Sequence, residues 1–230
     1  METTLPNIEV FKKVTLKARD VDLRPFSMSD VDSTYQAWLL DGETTRYLDV
    51  ALTDRSIDKL KEFVRGVEAN PNRLFYMIIY RETGESIGTA NLEIDPVNRV
   101  GNYGYMIGER RWWGTGVALQ AQVAMFDLAF DQLGNRRFYG GARIDNIMSQ
   151  FNLKRLGFVK EGVFRNHVRP DLDSETYVDV VYYGLMYEEW LAIRHKFDPH
   201  RYEDSLVSAH AKWYSGDRAE FKVDITDKLV

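Results

Sequence analysis

The residues whose types and spacing could do chemistry gather between positions 89 and 118. Tyr103 to Ala118 reads Y-G-Y-M-I-G-E-R-R-W-W-G-T-G-V-A. Its first part, Tyr105, Met106 and Ile107 between glycines, has the character of a strand, and from Thr115 onward the residues suit a helix. A glycine-bearing turn between strand and helix leaves several backbone N–H groups unpaired and aimed together, at the positive end of the helix dipole. Such a turn suits a phosphate or pyrophosphate, although the same residues could form a tight connection that binds nothing. Gly114 and Gly116 carry no Cβ, so an anion could come close to the backbone and φ could be positive. The pattern is neither a G-x-x-x-x-G-K-[ST] loop nor the G-x-G-x-x-G of dinucleotide binding. Just upstream, Thr89, Asn91 and Glu93 form a polar strand face opposite Ala90, Leu92 and Ile94.

The elements that must position these groups follow from periodicity. Val14, Leu16 and Ala18 hint at an edge strand, and Val21 to Phe26 alternates as a strand should. Ser29 reads as the N-cap of a helix through Val31, Tyr35, Trp38 and Leu39. A polar loop from Asp41 to Val50 follows, and Thr53 or Asp54 caps a second helix with Ile57, Leu60, Phe63, Val64 and Val67 on one side. Leu74 to Tyr80 is an apolar run suited to a strand buried on both faces. Thr83-Gly84 turns it into a return strand, Ser86 to Ile94, and Asp95 to Asn98 turns again into the strand at 100 to 107. The helix from Thr115 carries Val117, Ala121, Ala124 and Leu128 and stops at Gly134-Asn135. Arg137 to Ile144 is a strand, and Asn146 caps a short helix closed by Gly157. Phe158 to Val168 and Thr176 to Tyr187 form a final hairpin. About seven strands and four helices in the order β-α-α-β-β-β-α-β-α-β-β imply a mixed sheet with helices on its faces.

Composition bounds the function. At 230 residues, with 44% apolar and 28% charged residues, the chain reads as one soluble, globular domain with a full core. A net charge of −5 argues against a non-specific nucleic-acid partner, so Arg110-Arg111-Trp112-Trp113 reads as a local site. The absence of cysteine excludes disulfides, thiolate nucleophiles and Cys-ligated zinc, and fits a reducing compartment. His167 stands alone, while His195, His200 and His210 lie beyond the core, so no metal is expected. No apolar run is long enough to span a membrane and the N-terminus lacks a signal peptide's apolar segment, which makes cytoplasmic residence without membrane insertion the expectation.

The spacing R-x-x-G-x-G at Arg111, Gly114 and Gly116 resembles the pyrophosphate loop of the GNAT superfamily of acyl-CoA-dependent N-acetyltransferases. A second segment, Asp145 to Phe158 followed by Glu161-Gly162, resembles the family's N-x-x-S helix and its closing K-x-x-G-F-x-x-E-G. The resemblance covers about Val21 to Trp190. It implies an α/β (α+β) architecture: a mixed, mostly antiparallel seven-stranded sheet flanked by helices, in the acyl-CoA N-acyltransferase fold. Trp38 to Val50 is similar to the W-x-x-D…R-Y-L-E segment of the branch with ribosomal-protein N-terminal acetyltransferases, and closer to relatives in surface-polysaccharide and flagellin-sugar pathways.

The resemblance implies direct acetyl transfer from acetyl-CoA to an amine in a ternary complex. It places the pyrophosphate on the backbone of Arg111, Trp112, Trp113, Gly114, Thr115, Gly116, Val117 and Ala118. The pantetheine arm would pair like an extra strand against Met106, Ile107 and Gly108, with an N–H near Ile107 facing the thioester oxygen. Asn146 and Asn152 would offer side-chain amides to that arm. Where many members carry a tyrosine acid this chain has Leu153, so Ser149 is the expected proton donor; capping or backbone hydrogen bonding is its other reading. Glu93 is the expected base, with Tyr105 and His167 in reserve, and Asn102 stands where relatives often have a glutamate. Trp38, Arg46, Tyr47 and Tyr105 are the expected acceptor-side residues.

The acceptor expected on this reading is the primary amine of a nucleotide-linked amino sugar. The alternatives are a protein N-terminus or another small amine, or a non-catalytic acyl-CoA-binding module. Residues 1–197 form the expected domain and 198–230 an extension, in which Glu203 to Trp213 suits a helix. In the same stretch Phe221, Val223 and Ile225 alternate as a strand that could pair with a second subunit.

Overall fold

The computed structural model describes residues 8–49 and 53–200. Eight strands make one sheet: β1 (Leu16–Lys17), β2 (Val21–Pro25), β3 (Arg73–Tyr80), β4 (Glu85–Asp95), β5 (Val100–Ile107), β6 (Arg137–Arg143), β7 (Val159–Val168) and β8 (Val178–Met186). Their order is β1-β2-β3-β4-β5-β6-β8-β7. The strand beyond the expected seven is β1, two residues long, which pairs Leu16 with Leu23 at the edge. Every pairing is antiparallel except β5 with β6.

Alternation along the strands sorts side chains onto two faces. On the first face Leu74, Tyr76 and Ile78 of β3, Leu92 and Ile94 of β4 and Phe138 of β6 join one core. Covering it are α1 (Ile8–Phe11), α5 (Val117–Asp127), α6 (Ile147–Arg155) and α7 (Tyr187–Ile193). The second face is covered only in part. There α2 (Ser33–Leu40) and α4 (Ile57–Ala69) lay Tyr35, Trp38, Leu39, Leu60 and Val64 over Met77 of β3 and Met106 of β5. Both faces of β3 are thereby buried, as its apolar run implies.

Several boundaries differ from expectation for local reasons. Ser29 lies in a single 3-10 turn, Met28–Asp30, and the N-cap of α2 is Asp32, whose carboxylate accepts from the Tyr35 N–H at 2.8 Å. Helix α4 starts after Ser56, and Asp54 bonds the Ser56 N–H at 2.8 Å as a turn instead of capping. The polar loop after Asp41 holds one short helix, α3 (Gly42–Thr45). Helix α5 begins at Val117 and not Thr115, because Gly116 at φ 97° is left-handed and cannot belong to the helix. The expected domain boundary at residue 197 falls inside a 3-10 segment, Arg194–His200, whose Phe197 is buried and stacks on Trp190 at 5.4 Å. The helix and strand expected at 203–213 and 221–225 lie outside the described residues.

Candidate active site

The sheet is split. Strands β5 and β6 run parallel but share only three residue pairs: Val100 with Arg137, Gly101 with Phe138, and Asn102 with Tyr139. Beyond Asn102 they part, and the residues from Tyr103 to Ile107 keep a partner on the β4 side alone. The Gly108 N–H donates to the Ile87 carbonyl of β4 at 2.9 Å. Main-chain direction alternates, so the amides and carbonyls of Tyr105 and Ile107 face the split while those of Met106 face β4. Pairing by an amide-rich arm, expected along Met106 to Gly108, would therefore fall to Tyr105 and Ile107. The Met106 side chain is buried under α2.

The split opens onto the glycine turn. Arg110–Trp112 form one 3-10 turn, Gly114 and Gly116 take φ values of 75° and 97°, and α5 follows. A Cβ on either glycine would point into open space, so the loop leaves room beside its backbone. Among the described residues the N–H groups of Gly114 and Gly116 find no backbone acceptor, whereas those of Trp112 and Trp113 close on Glu109 and Arg110. Two free donors at the start of an eleven-residue helix are what a diphosphate requires, so the chain fits the coenzyme expected there.

The loop is braced from outside. Trp113 donates its indole N–H to the Ile107 carbonyl at 2.8 Å, and Trp112 packs on Tyr80 at 4.1 Å. Arg110 pairs with Asp41 and Arg111 with Glu85. The hydrogen bonds of Arg110 and Thr44 hold the Asp41 carboxyl down at about 2, so that clasp stays charged at neutral pH. Trp38 was expected at the acceptor. It is buried instead, donates to Glu109 at 2.8 Å, and lies where a Cβ on Gly108 would collide with its ring. It supports the loop.

On the second face, beyond α2 and α4, the centre of the sheet is open. Glu93 of β4 pairs with Asn102 of β5, and Asn102 with Tyr139 of β6, so three polar side chains stand in a row across the last rung before the split. Asn102 donates to the Tyr139 carbonyl at 3.1 Å, and Glu93 accepts from Asn70 at 3.4 Å. A cavity of about 600 Å³ opens over this row, with Asn72, Asn98, Arg136 and Arg137 around it. Arg46 and Tyr47 are elsewhere. Tyr47 lies under the Arg143 guanidinium (5.2 Å) with its hydroxyl 3.4 Å from the Asp145 carbonyl, and Arg143 donates to the Arg46 carbonyl at 3.3 Å. Arg143 lies four positions along β6 from Tyr139, about 13 Å of strand.

On the first face a chain of uncharged polar groups runs beside the split. Asn152 of α6 donates to the Tyr105 hydroxyl at 3.1 Å and to the Gln122 carbonyl oxygen at 2.8 Å, and Gln122 donates to the Tyr103 hydroxyl at 3.3 Å. Asn146 caps α6 by accepting the Ser149 N–H at 3.0 Å. Ser149 is half-buried one turn from Asn152, on the same side of the helix. Leu153 is buried in the core. Gln122, Tyr139 and Asn70 escaped the sequence reading. Only Gln122 left a trace, a polar residue among the apolar positions of α5.

Comparison with known proteins completes the assignment. Residues 20–159 match the family described as Acetyltransferase (GNAT) domain. The chain is 31% identical over 97 residues to YdaF of Bacillus subtilis (strain 168), a candidate ribosomal N-acetyltransferase. That alignment covers 42% of this chain and spans about half, 51%, of the relative. Among solved structures, a candidate acetyltransferase from T. thermophilus is 25% identical with TM-score 0.66, covering 80% of this chain and 95% of its own. Mycobacterium smegmatis RimJ in complex with CoA-disulfide has TM-score 0.67 over 80% of this chain and 95% of its own, and at 19% identity carries the fold alone. A family match on the strands and glycine turn that build the split makes this chain a member of the GNAT acetyltransferase domain family.

Proposed function

We propose that the protein transfers an acetyl group from acetyl-CoA to a primary amine by direct attack in a ternary complex. One observation carries the reading: the row Glu93, Asn102, Tyr139 crosses the sheet at the rung where β5 and β6 part. A thioester held in the split reaches its limit there, and an amine in the cavity on the second face meets it from the other side. The diphosphate would rest on the N–H groups from Gly114 to Ala118. The pantetheine amides would pair with Tyr105 and Ile107, with Asn146 and Asn152 beside them, and an unpaired N–H near Ile107 would face the thioester oxygen.

Glu93 is exposed, in hydrogen-bond reach of Asn70, and one strand from the apex, which suits it to receive the ammonium proton directly or through water. A hydroxyl on the first face, Ser149 or another beside it, would supply the proton to the departing thiolate.

For the acceptor we infer a hydroxyl-rich amine such as a nucleotide-linked amino sugar. Carboxamides of Asn70, Asn72, Asn98 and Asn102 can bond sugar hydroxyls, and Arg136, with Arg137 beside its Glu161 partner at 2.7 Å, offers positive charge to a phosphate. Arg46 and Tyr47, at the far end of the open face, would meet the distal part of a long acceptor. The second reading is a protein N-terminus, favoured by the similarity to YdaF and by a face open enough for an extended chain. A thiol-release assay with acetyl-CoA across nucleotide amino sugars, peptides and polyamines tests both. Turnover on the sugars alone supports the first, turnover on peptides alone replaces it with the second, and acetyl-CoA binding with no thiol release on any amine points to a non-catalytic binding module.

A further inference from the structure

We propose that Tyr105 is the catalytic acid that delivers a proton to the departing coenzyme A sulfur. The inference rests on the acetyltransferase reading and adds a residue to it.

The geometry is specific. Tyr105 lies on β5 three residues past the last β5–β6 pair, where the split is open. Its side chain is on the first face, between β5 and the two helices α5 and α6 that flank the gap. Among the described residues its hydroxyl makes one hydrogen bond, which it accepts, from Asn152 Nδ2 at 3.1 Å. Asn152 spends its amide on Tyr105 and Gln122, Gln122 donates to Tyr103, and the phenolic proton of Tyr105 is donated to no acceptor among the described residues. A hydroxyl fixed through its oxygen, with its proton unspent, beside the gap that would hold a thioester is arranged to donate.

Burial supports this by pushing the phenol up from its ordinary value, so it keeps its proton across the neutral range. Leu153 of α6 is packed into the core and can donate nothing.

The step balances. The amine nitrogen attacks the thioester carbon and the C–S bond breaks. Sulfur keeps the bonding pair and takes the proton from Tyr105 Oη. The tyrosinate regains a proton from water, and the surplus amine proton leaves by the Glu93 side.

The test compares three full-length proteins: wild type, Tyr105→Phe and Ser149→Ala. Acetyl-CoA binding is measured by calorimetry and turnover by thiol release. Tyr105→Phe should bind acetyl-CoA as wild type does and lose roughly 10² in kcat, in the range of a positioned acid. Ser149→Ala should lose far less. A merely structural tyrosine could slow the enzyme too, so the deciding measurement is the pH profile with a fluorinated tyrosine at position 105. The alkaline limb of kcat should move down in pH by the amount the fluorine atoms lower the phenol pKa. An unmoved limb, or a Tyr105→Phe enzyme with wild-type kcat, overturns the proposal. A wild-type protein that turns over no amine overturns the functional reading beneath it, a different outcome.

Discussion

Placing a carboxylate at position 114 should cut acetyl-CoA affinity by about 30-fold, and the same-shaped amide should not. Gly114 sits at φ 75° with open space where a Cβ would go, so a side chain fits without collision. Asp and Asn both tolerate the left-handed region, and the backbone cost, about 1 kcal/mol, is shared by the two variants. The difference between them is charge. Two unit charges about 4 Å apart interact by about 4 kcal/mol at an effective dielectric near 20. The loop is exposed, and screening reduces this to about 2 kcal/mol, or about 30-fold. Titrating acetyl-CoA into Gly114→Asp and Gly114→Asn by calorimetry measures the ratio directly, and raising the salt should shrink it. Equal affinities for the two variants would mean that the diphosphate does not rest on this turn, and the chemistry assigned to the split would lose its anchor.

Other consequences can be checked separately. Glu93→Gln should lower kcat by about 10² or more where the acceptor amine is protonated and much less where it is free; a loss uniform across pH would remove Glu93 as base. Gly108→Ala should lower the melting temperature by several degrees, from about 1–3 kcal/mol of overpacking against Trp38, and Trp38→Phe in the same background should restore part of it. Burial pushes Tyr35 up to about 12 and raises Tyr76, Tyr103 and Tyr105 in the same direction. Their contribution to stability is therefore complete below pH ~10, where unfolded tyrosine still holds its proton, and is lost as pH rises toward 12. The urea midpoint should fall between pH 9 and pH 11, less so in Tyr35→Phe, and an unchanged midpoint would contradict the burial.

Elements governed by local rules were legible in the sequence. Alternation marked β2, an unbroken apolar run marked β3 and turn residues bounded β4 and β5, Asn146 and Gly157 bracketed α6, and the glycine turn stood out because two positive-φ sites two residues apart need glycine. What failed depended on distance. Trp38 lies in a segment that reads as an acceptor loop, but its indole is enclosed by Gly108 and Glu109, about seventy residues away. Arg46 and Tyr47 read as acceptor-side residues, but their place against Arg143 and Asp145, at the far end of the open face, depends on strand β6 running past the cavity before it reaches them. The row Glu93, Asn102, Tyr139 needs strand register, which no periodicity within one strand can supply.

Three shared rungs leave the sheet as two slabs fastened at one end, and the aromatic packing of Tyr103, Phe126, Phe138 and Phe158 does much of the fastening. A guest strand wedged between the slabs would complete the missing ladder, so the folded state should gain heat resistance in step with ligand concentration. Without it, the amides lining the wedge are where hydrogen exchange should enter first, and the enzyme should spend its working life toughest when loaded and most yielding between turnovers.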